Sequence, residues 1–428
     1  MTTVFTEAFA RFSQNGGGQG PAELLTRRRE AFGRFAAAGF PSLKDEEWRF
    51  TPIAPIARTA WTDAVAASSR PTPGQVAPFL IGPRSWTTLV FVNGRYDGAL
   101  SNRPELPASV TIEPLATALE RDPGLLDVRE ATPFSSLNAA FARDGVVIRV
   151  AAGVDLADPV HVLFLTTPEA AGQAVQVRCV FAVEQGARAQ FVESYAGLGG
   201  AASFTNAVTD VAVGASAWVE HSRIQRESES AYHIGLTRVE QGRDSHYRSF
   251  SLAMGGAIAR HDLRTRLGDE NVESLLYGLY LGRGEQLVDN HTVIYHDHPN
   301  CRSWEVYKGI LDGKSHAVFN GKVLVTPEAQ KTDAKQTNRN LLLSDGAKVD
   351  TKPQLEIFAD DVRCTHGATV GRLDETAFFY LQSRGIAREA ALRLLTYAFA
   401  AEVTAEVASA PVREALDALV IDRLGGMP

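Results

Sequence analysis

The chain has 428 residues, with 43 Lys and Arg against 50 Asp and Glu, a formal net charge of −7. Its 45% hydrophobic and 22% charged residues supply core for one large domain with appendages or for two to three ordinary domains. An acidic balance with no forced basic face argues against a nucleic-acid partner.

The N-terminus, Met1-Thr-Thr-Val-Phe-Thr-Glu-Ala8, lacks the basic segment and apolar run of a secretory signal. The chain also lacks a run of about 18 apolar residues that would predict a membrane span. Three scattered cysteines, Cys179, Cys301 and Cys364, do not make a disulfide framework. The expectation is a cytoplasmic protein, away from membranes, whose thiols are free to meet metal or sulfur.

In chain order, residues 1–140 predict a helical, then mixed, domain. Gly16 to Gly20 is a flexible break. A helix starts near Pro21 with Leu24, Leu25, Ala31, Phe32 and Phe35 on its apolar side. The Arg27-Arg28-Arg29 run inside it reads as a solvated face. Residues 62 to 82, rich in Ala, Ser and Pro, read as a linker or loose loop.

Residues 141–382 predict a β core. Glycines followed by small or polar residues and then an alternating strand recur at Gly186, Gly214, Gly242, Gly268, Gly284, Gly313 and Gly346. Their spacings are 28, 28, 26, 16, 29 and 33, mostly inside the window of stacked repeats. A sandwich of hairpins competes with a β-solenoid, but two-residue hairpin turns are scarce, which favours the solenoid.

Residues 383–428 predict a helical domain. The first helix covers 386 to 408. A second starts at Pro411, carries Val412, Leu416, Leu419, Val420 and Ile421 as a stripe, and ends at Gly425-Gly426. The pair would either cap the open edge of a solenoid or present a surface to a partner.

Several chemistries fail on spacing. Gly313-Lys-Ser315 lacks the P-loop glycine, because Lys308 stands where it should be, so no bound nucleotide is expected. No Gly-x-Ser-x-Gly elbow occurs. Asp360 and Asp361 face opposite sides of any strand, so with Asp289 they make a poor glycosidase pair. Ligand-type residues concentrate in two places. His296-Asp-His-Pro-Asn-Cys301 is dense enough to suggest Zn or Fe, against a polar corner loop with Cys301 as a small buried side chain. Cys364-Thr-His366, if extended, puts a thiol and an imidazole on one face, about 7 Å apart at the backbone. Both can reach one iron–sulfur centre, with Asp360 or Asp361 to orient the ring. The alternative is a buried Cys beside a satisfied His. Two ligands leave a cluster incomplete, so the rest must come from elsewhere in the chain or from a partner.

The block Val349-Asp-Thr-Lys-Pro-Gln-Leu-Glu-Ile-Phe-Ala-Asp-Asp-Val-Arg-Cys-Thr-His-Gly-Ala-Thr369 resembles the SufB/SufD family of iron–sulfur cluster assembly proteins. Ala317-Val-Phe-Asn-Gly321, Lys331-Thr-Asp-Ala-Lys-Gln-Thr-Asn338, Phe378-Phe-Tyr-Leu-Gln-Ser-Arg-Gly-Ile386 and Asp45-Glu-Glu-Trp-Arg-Phe-Thr51 continue the likeness. The match is dense over about 290 to 410 and diffuse elsewhere. The Cys364-Thr-His-Gly-Ala-Thr369 form is similar to the SufD branch. The resemblance implies a right-handed parallel β-helix core between N- and C-terminal helical domains. It implies a non-catalytic scaffold that pairs with SufB and, through its C-terminal helices, with the SufC ATPase. A transient iron–sulfur cluster would be shared at the SufB–SufD interface, with His366 as the main contributor and Cys364 as its neighbour. A self-contained metal-binding or homodimeric protein using the 296–301 loop is the alternative.

Overall fold

In the computed structural model, which describes residues 3–64, 67–127, 130–200 and 202–426, the chain from 144 to 371 winds into a parallel β-solenoid. Each coil lays one strand in each of two sheets. Sequence-consecutive strands therefore fall in opposite sheets, and strands two apart are hydrogen-bonded neighbours. Tyr232 pairs with Ile258, Ile258 with Leu287 and Leu287 with His316 along the first sheet. The parallel β-solenoid expected from the glycine repeat is therefore borne out.

The same structure explains the uneven repeat. Gly186, Gly214, Gly242 and Gly268 follow strands of the first sheet, ending at Val183, Val213, Gln241 and Leu267. Gly284, Gly313 and Gly346 follow strands of the second, ending at Gly282, Leu311 and Leu342. The 16-residue step is the move from one column of corners to the other. Gly313, at φ 67°, stacks so closely on the coil below that a Cβ there would lie 2.9 Å from Gly284 N. It is a corner residue, which accounts for Gly313-Lys-Ser315 without a phosphate.

Inward side chains of the two sheets make one core, with Phe181 stacked on Phe191 at 4.3 Å and Tyr307 against Phe319. At the first end the sheets finish in antiparallel strands: Val110–Pro114 on Asp144–Val150, and Arg95–Tyr96 on Thr88–Val92. At the other end the strands Lys348–Ile357 and Arg363–Gly371 each pair on one side only.

The N-terminal helices Thr3–Phe12, Ala22–Ala38 and Pro133–Phe141 cover the outer face of the first sheet through Phe35, Phe134 and Leu137 against Phe204 and Ile234. Arg28 departs from the expected solvated face. It is buried and donates to Ala140 O at 3.1 Å and Ala142 O at 2.7 Å. Those are free carbonyls at a helix C-terminus, where a cation is favoured. The break at Gly16 to Gly20 begins as a π-helical turn, Ser13–Gly17. Within the 62–82 stretch, Thr62 and Asp63 pair with Gln173 and Ala174, a short helix spans Pro73–Val76, and Val65 and Ala66 lie outside the described residues.

The segment Asp45 to Thr51 is a latch. Trp48 lies under the Arg260 guanidinium, 3.7 Å from its carbon. Arg260 donates to Glu47 O at 2.6 Å, to Asp262 at 2.8 Å and to Asp289 at 2.9 Å, and Thr51 donates to Asp289. Burial alone would push the Asp289 carboxyl up. His291 and Arg260 beside it, with the bonds it accepts, hold it at about 2. Glu46 pairs with Lys352, so the latch reaches the last strand of the first sheet.

Helices Arg388–Thr404 and Ala410–Arg423 lie on the outer face of the second sheet. Val403, Val412, Leu416 and Val420 meet Ile224, Leu252, Leu279 and Ile310 there. Arg248 donates to Glu406 O at 2.8 Å and Lys308 to Phe399 O at 3.0 Å. Gly425 and Gly426, both at positive φ, end the second helix as expected. The helices flank the solenoid rather than closing its end.

Candidate functional site

The strand Arg363–Gly371 is the last of the second sheet. Its register places Cys364 beside Ala334 and His366 beside Gln336. Ala334 and Gln336 are both buried in the solenoid interior. Paired residues on neighbouring parallel strands point the same way, so Cys364 and His366 both project inward, at the mouth of the open end. The expected shared face is therefore the inner face. Cys364 is half-buried against the core, and burial pushes its thiol up. His366 is exposed. Apolar side chains are exposed on the last strands and just after them: Phe358 is 62% exposed, and on the following helix Glu375–Ser383 Phe379 is 72% and Tyr380 56% exposed, with Ile357 and Val370 exposed on the strands themselves. An unpaired edge with exposed apolar side chains is the usual mark of an interface.

One of the two acids expected to orient the ring is used elsewhere. Asp361 pairs with Lys331, and its backbone amide donates to Gln330. The carboxyl in the column of His366 is instead Glu305, two strands back, aligned through Gln336. Gln336 donates through Nε2 to Glu305 at 2.7 Å. Glu305 is 1% exposed, and burial pushes its carboxyl up to about 7. Gln336 reaches across the interior towards Gly321 of the opposite sheet, where a Cβ would come within 2.3 Å of its amide nitrogen. Next to this column Asn338 donates to the Tyr280 hydroxyl at 2.9 Å, and Tyr280 bonds Asn340. Deeper in the solenoid Glu193 accepts from His221, and Glu227 from His233, all buried. Sequence reading missed this interior. The signal was present as polar residues 30 and 61 positions before His366, but it becomes visible only once the register is known.

The loop from His296 to Cys301 is built differently from a metal site. His296 is buried, bonded to Ser303 at 2.8 Å, and pushed down to about 3 by burial. The Cys301 thiol, pushed up to about 11 by burial, donates to Asp269 O at 3.2 Å. Asn300 at φ 62° turns the chain between them. His296 and Cys301 are used internally, as in the corner-loop reading. Among the described residues no cluster of three or more His, Cys, Asp or Glu is arranged to hold a metal. Cys364 and His366 share the inward face of this edge strand.

Two family profiles match the chain. One, described as "SUF system FeS cluster assembly, SufBD core domain", covers residues 164–399, and one described as "SufBD protein N-terminal region" covers residues 2–162. The chain is 34% identical over 392 residues to "Iron-sulfur cluster assembly protein SufD" of Escherichia coli, covering 91% of this chain and 90% of that one. It is 34% identical over 399 residues to "Iron-sulfur cluster assembly SufBD family protein slr0076" of Synechocystis, covering 90% and 87%. It is 31% identical to "Protein ABCI7, chloroplastic" of Arabidopsis thaliana, covering 88% and 81%. With matched profiles spanning nearly the whole chain and relatives this similar over most of their length, the chain belongs to the SufBD family of SUF-system iron–sulfur cluster assembly proteins.

Proposed function

We propose that this chain is a non-catalytic scaffold subunit of the cytoplasmic SUF machinery. It lends His366, with Cys364 beside it, to a nascent iron–sulfur cluster that a SufB-like subunit completes. The cluster is cargo, held for transfer. The observation that carries the reading is the inward-facing pair Cys364 and His366 on an edge strand paired on one side only, with Phe358, Phe379 and Tyr380 exposed on the segments that follow the last two strands. Two ligands of the roughly four that a cluster commonly takes suit a site shared between subunits.

In this reading the 1–140 domain steadies the solenoid of 141–382, and the 383–428 domain holds the SufC-like ATPase. The C-terminal helices support that assignment, since they flank the second sheet and leave the open end free for the SufB-like partner. ATP hydrolysis belongs to the ATPase partner. A second copy of this chain can compete for the same edge.

Anaerobic reconstitution with iron and sulfide, with SufB-like and SufC-like partners, tests the reading. Cluster formation by the complex should fall at least tenfold with His366→Ala. Undiminished formation overturns it.

A further inference from the structure

The buried side chains behind the mouth are arranged for one task that the residues at the mouth do not perform themselves. His366, Gln336 and Glu305 occupy one inward column on three adjacent strands, with successive backbones about 4.8 Å apart. The ionised Glu305 carboxylate can only accept, so it orders the Gln336 amide. The NH2 is turned to Glu305, which it meets at 2.7 Å, and the carbonyl oxygen faces away from it. That oxygen, Gln336 Oε1, is buried and has no protein partner. A buried amide oxygen left bare is destabilising, so a donor is called for. The neighbouring Asn338 and Asn340 are occupied with each other and with Tyr280. The ring of His366, in register directly above, carries a donor and has no hydrogen bond of its own among the described contacts.

We infer that Gln336, oriented by Glu305, is the positioning residue for His366: its amide oxygen accepts the imidazole N–H, fixing the tautomer and leaving the other ring nitrogen free at the open end. Outer partners of this kind commonly set which nitrogen of a ligating histidine faces the metal. Glycine at 321 is part of the device, because a side chain there would displace the Gln336 amide. The inference deepens the reading of His366 as the working residue and rests on that reading.

The test uses the full-length chain labelled with 15N-histidine, with no iron present. The His366 ring resonances are identified by their loss in His366→Ala. Wild type should show one dominant neutral tautomer, a ring N–H protected from solvent, and a nuclear Overhauser contact from it to the Gln336 side chain. Gln336→Met and Glu305→Leu should lose the protected N–H and give the two-tautomer mixture of a solvated imidazole. Glu305→Gln, which keeps an acceptor for the amide, should match wild type.

If wild type lacks the protected N–H, or if folded Gln336→Met retains it, the inference fails. The wild-type measurement stands even if the variants do not fold. Reconstitution with the partners separates this failure from failure of the functional reading. Cluster loss in His366→Ala with an unprotected ring in wild type overturns the positioning role alone. A protected ring with full cluster formation in His366→Ala overturns the role of His366 and leaves the hydrogen bond intact.

Discussion

Replacing Asp289 by Asn tests the latch that ties the N-terminal domain to the solenoid. Asp289 is fully buried and accepts from Arg260 at 2.9 Å and from Thr51, with His291 at 3.0 Å. Its carboxyl sits at about 2 instead of its ordinary 3.8. At about 1.4 kcal/mol per pH unit this contributes on the order of 2 kcal/mol to folding at neutral pH. The sign follows from the depressed value. The stabilisation is complete above about pH 4 and is lost as pH falls towards 2. Asn removes it and leaves Arg260 with Asp262 and the Trp48 face, so part of the guanidinium charge stays compensated. The expected loss is about 2–4 kcal/mol, within the range for breaking a buried pair. Urea denaturation at pH 7 measures it, and amide exchange at residues 46–51 should accelerate. A loss below about 0.5 kcal/mol with unchanged exchange would show that the latch is held by the Trp48 contact and not by the charges.

Two other perturbations follow from buried groups. Because burial raises Glu305 to about 7 from 4.5, the folded state holds a proton that the unfolded state has released. Stability should therefore fall by roughly 2–3 kcal/mol as pH rises from about 4.5 to 7. Urea titrations at pH 5 and pH 8 should show this drop in wild type and its loss in Glu305→Gln; equal drops would contradict it. Leu416, fully buried between the last helix and the second sheet, should cost about 2–5 kcal/mol as Leu416→Ala, read by denaturation. Complete removal of residues 386–424 would bare Ile224, Leu252, Leu279 and Ile310, so ATPase binding is better tested by exposed substitutions such as Leu392→Asp than by truncation.

The repeat of corner glycines was legible because a tight corner constrains the residue type locally. Gly313 packs on Gly284, and any reader of spacing meets that constraint. The shared face of Cys364 and His366 was legible because strand periodicity is local as well; the open edge was not, because it is set by which whole coils pair. What lay behind them was not. Gln336 and Glu305 reach the column of His366 only through the register of whole coils, which no window of ten residues contains. Arg28 failed for a related reason. Three arginines in a row read as solvated, and the helix end that buries the middle one lies 112 residues away. The 296–301 loop misled in the opposite direction. Its ligand types are dense along the chain, but one imidazole and the thiol turn into separate internal hydrogen bonds.

The account stands or falls on cluster assembly at the open end. Iron and labile sulfide should be counted anaerobically on the isolated chain and on its complex with SufB-like and SufC-like partners, for wild type and His366→Ala. The account predicts a stoichiometric cluster on the wild-type complex only, lost with His366→Ala while the variant stays folded. A stoichiometric cluster on the chain alone that survives His366→Ala would contradict it.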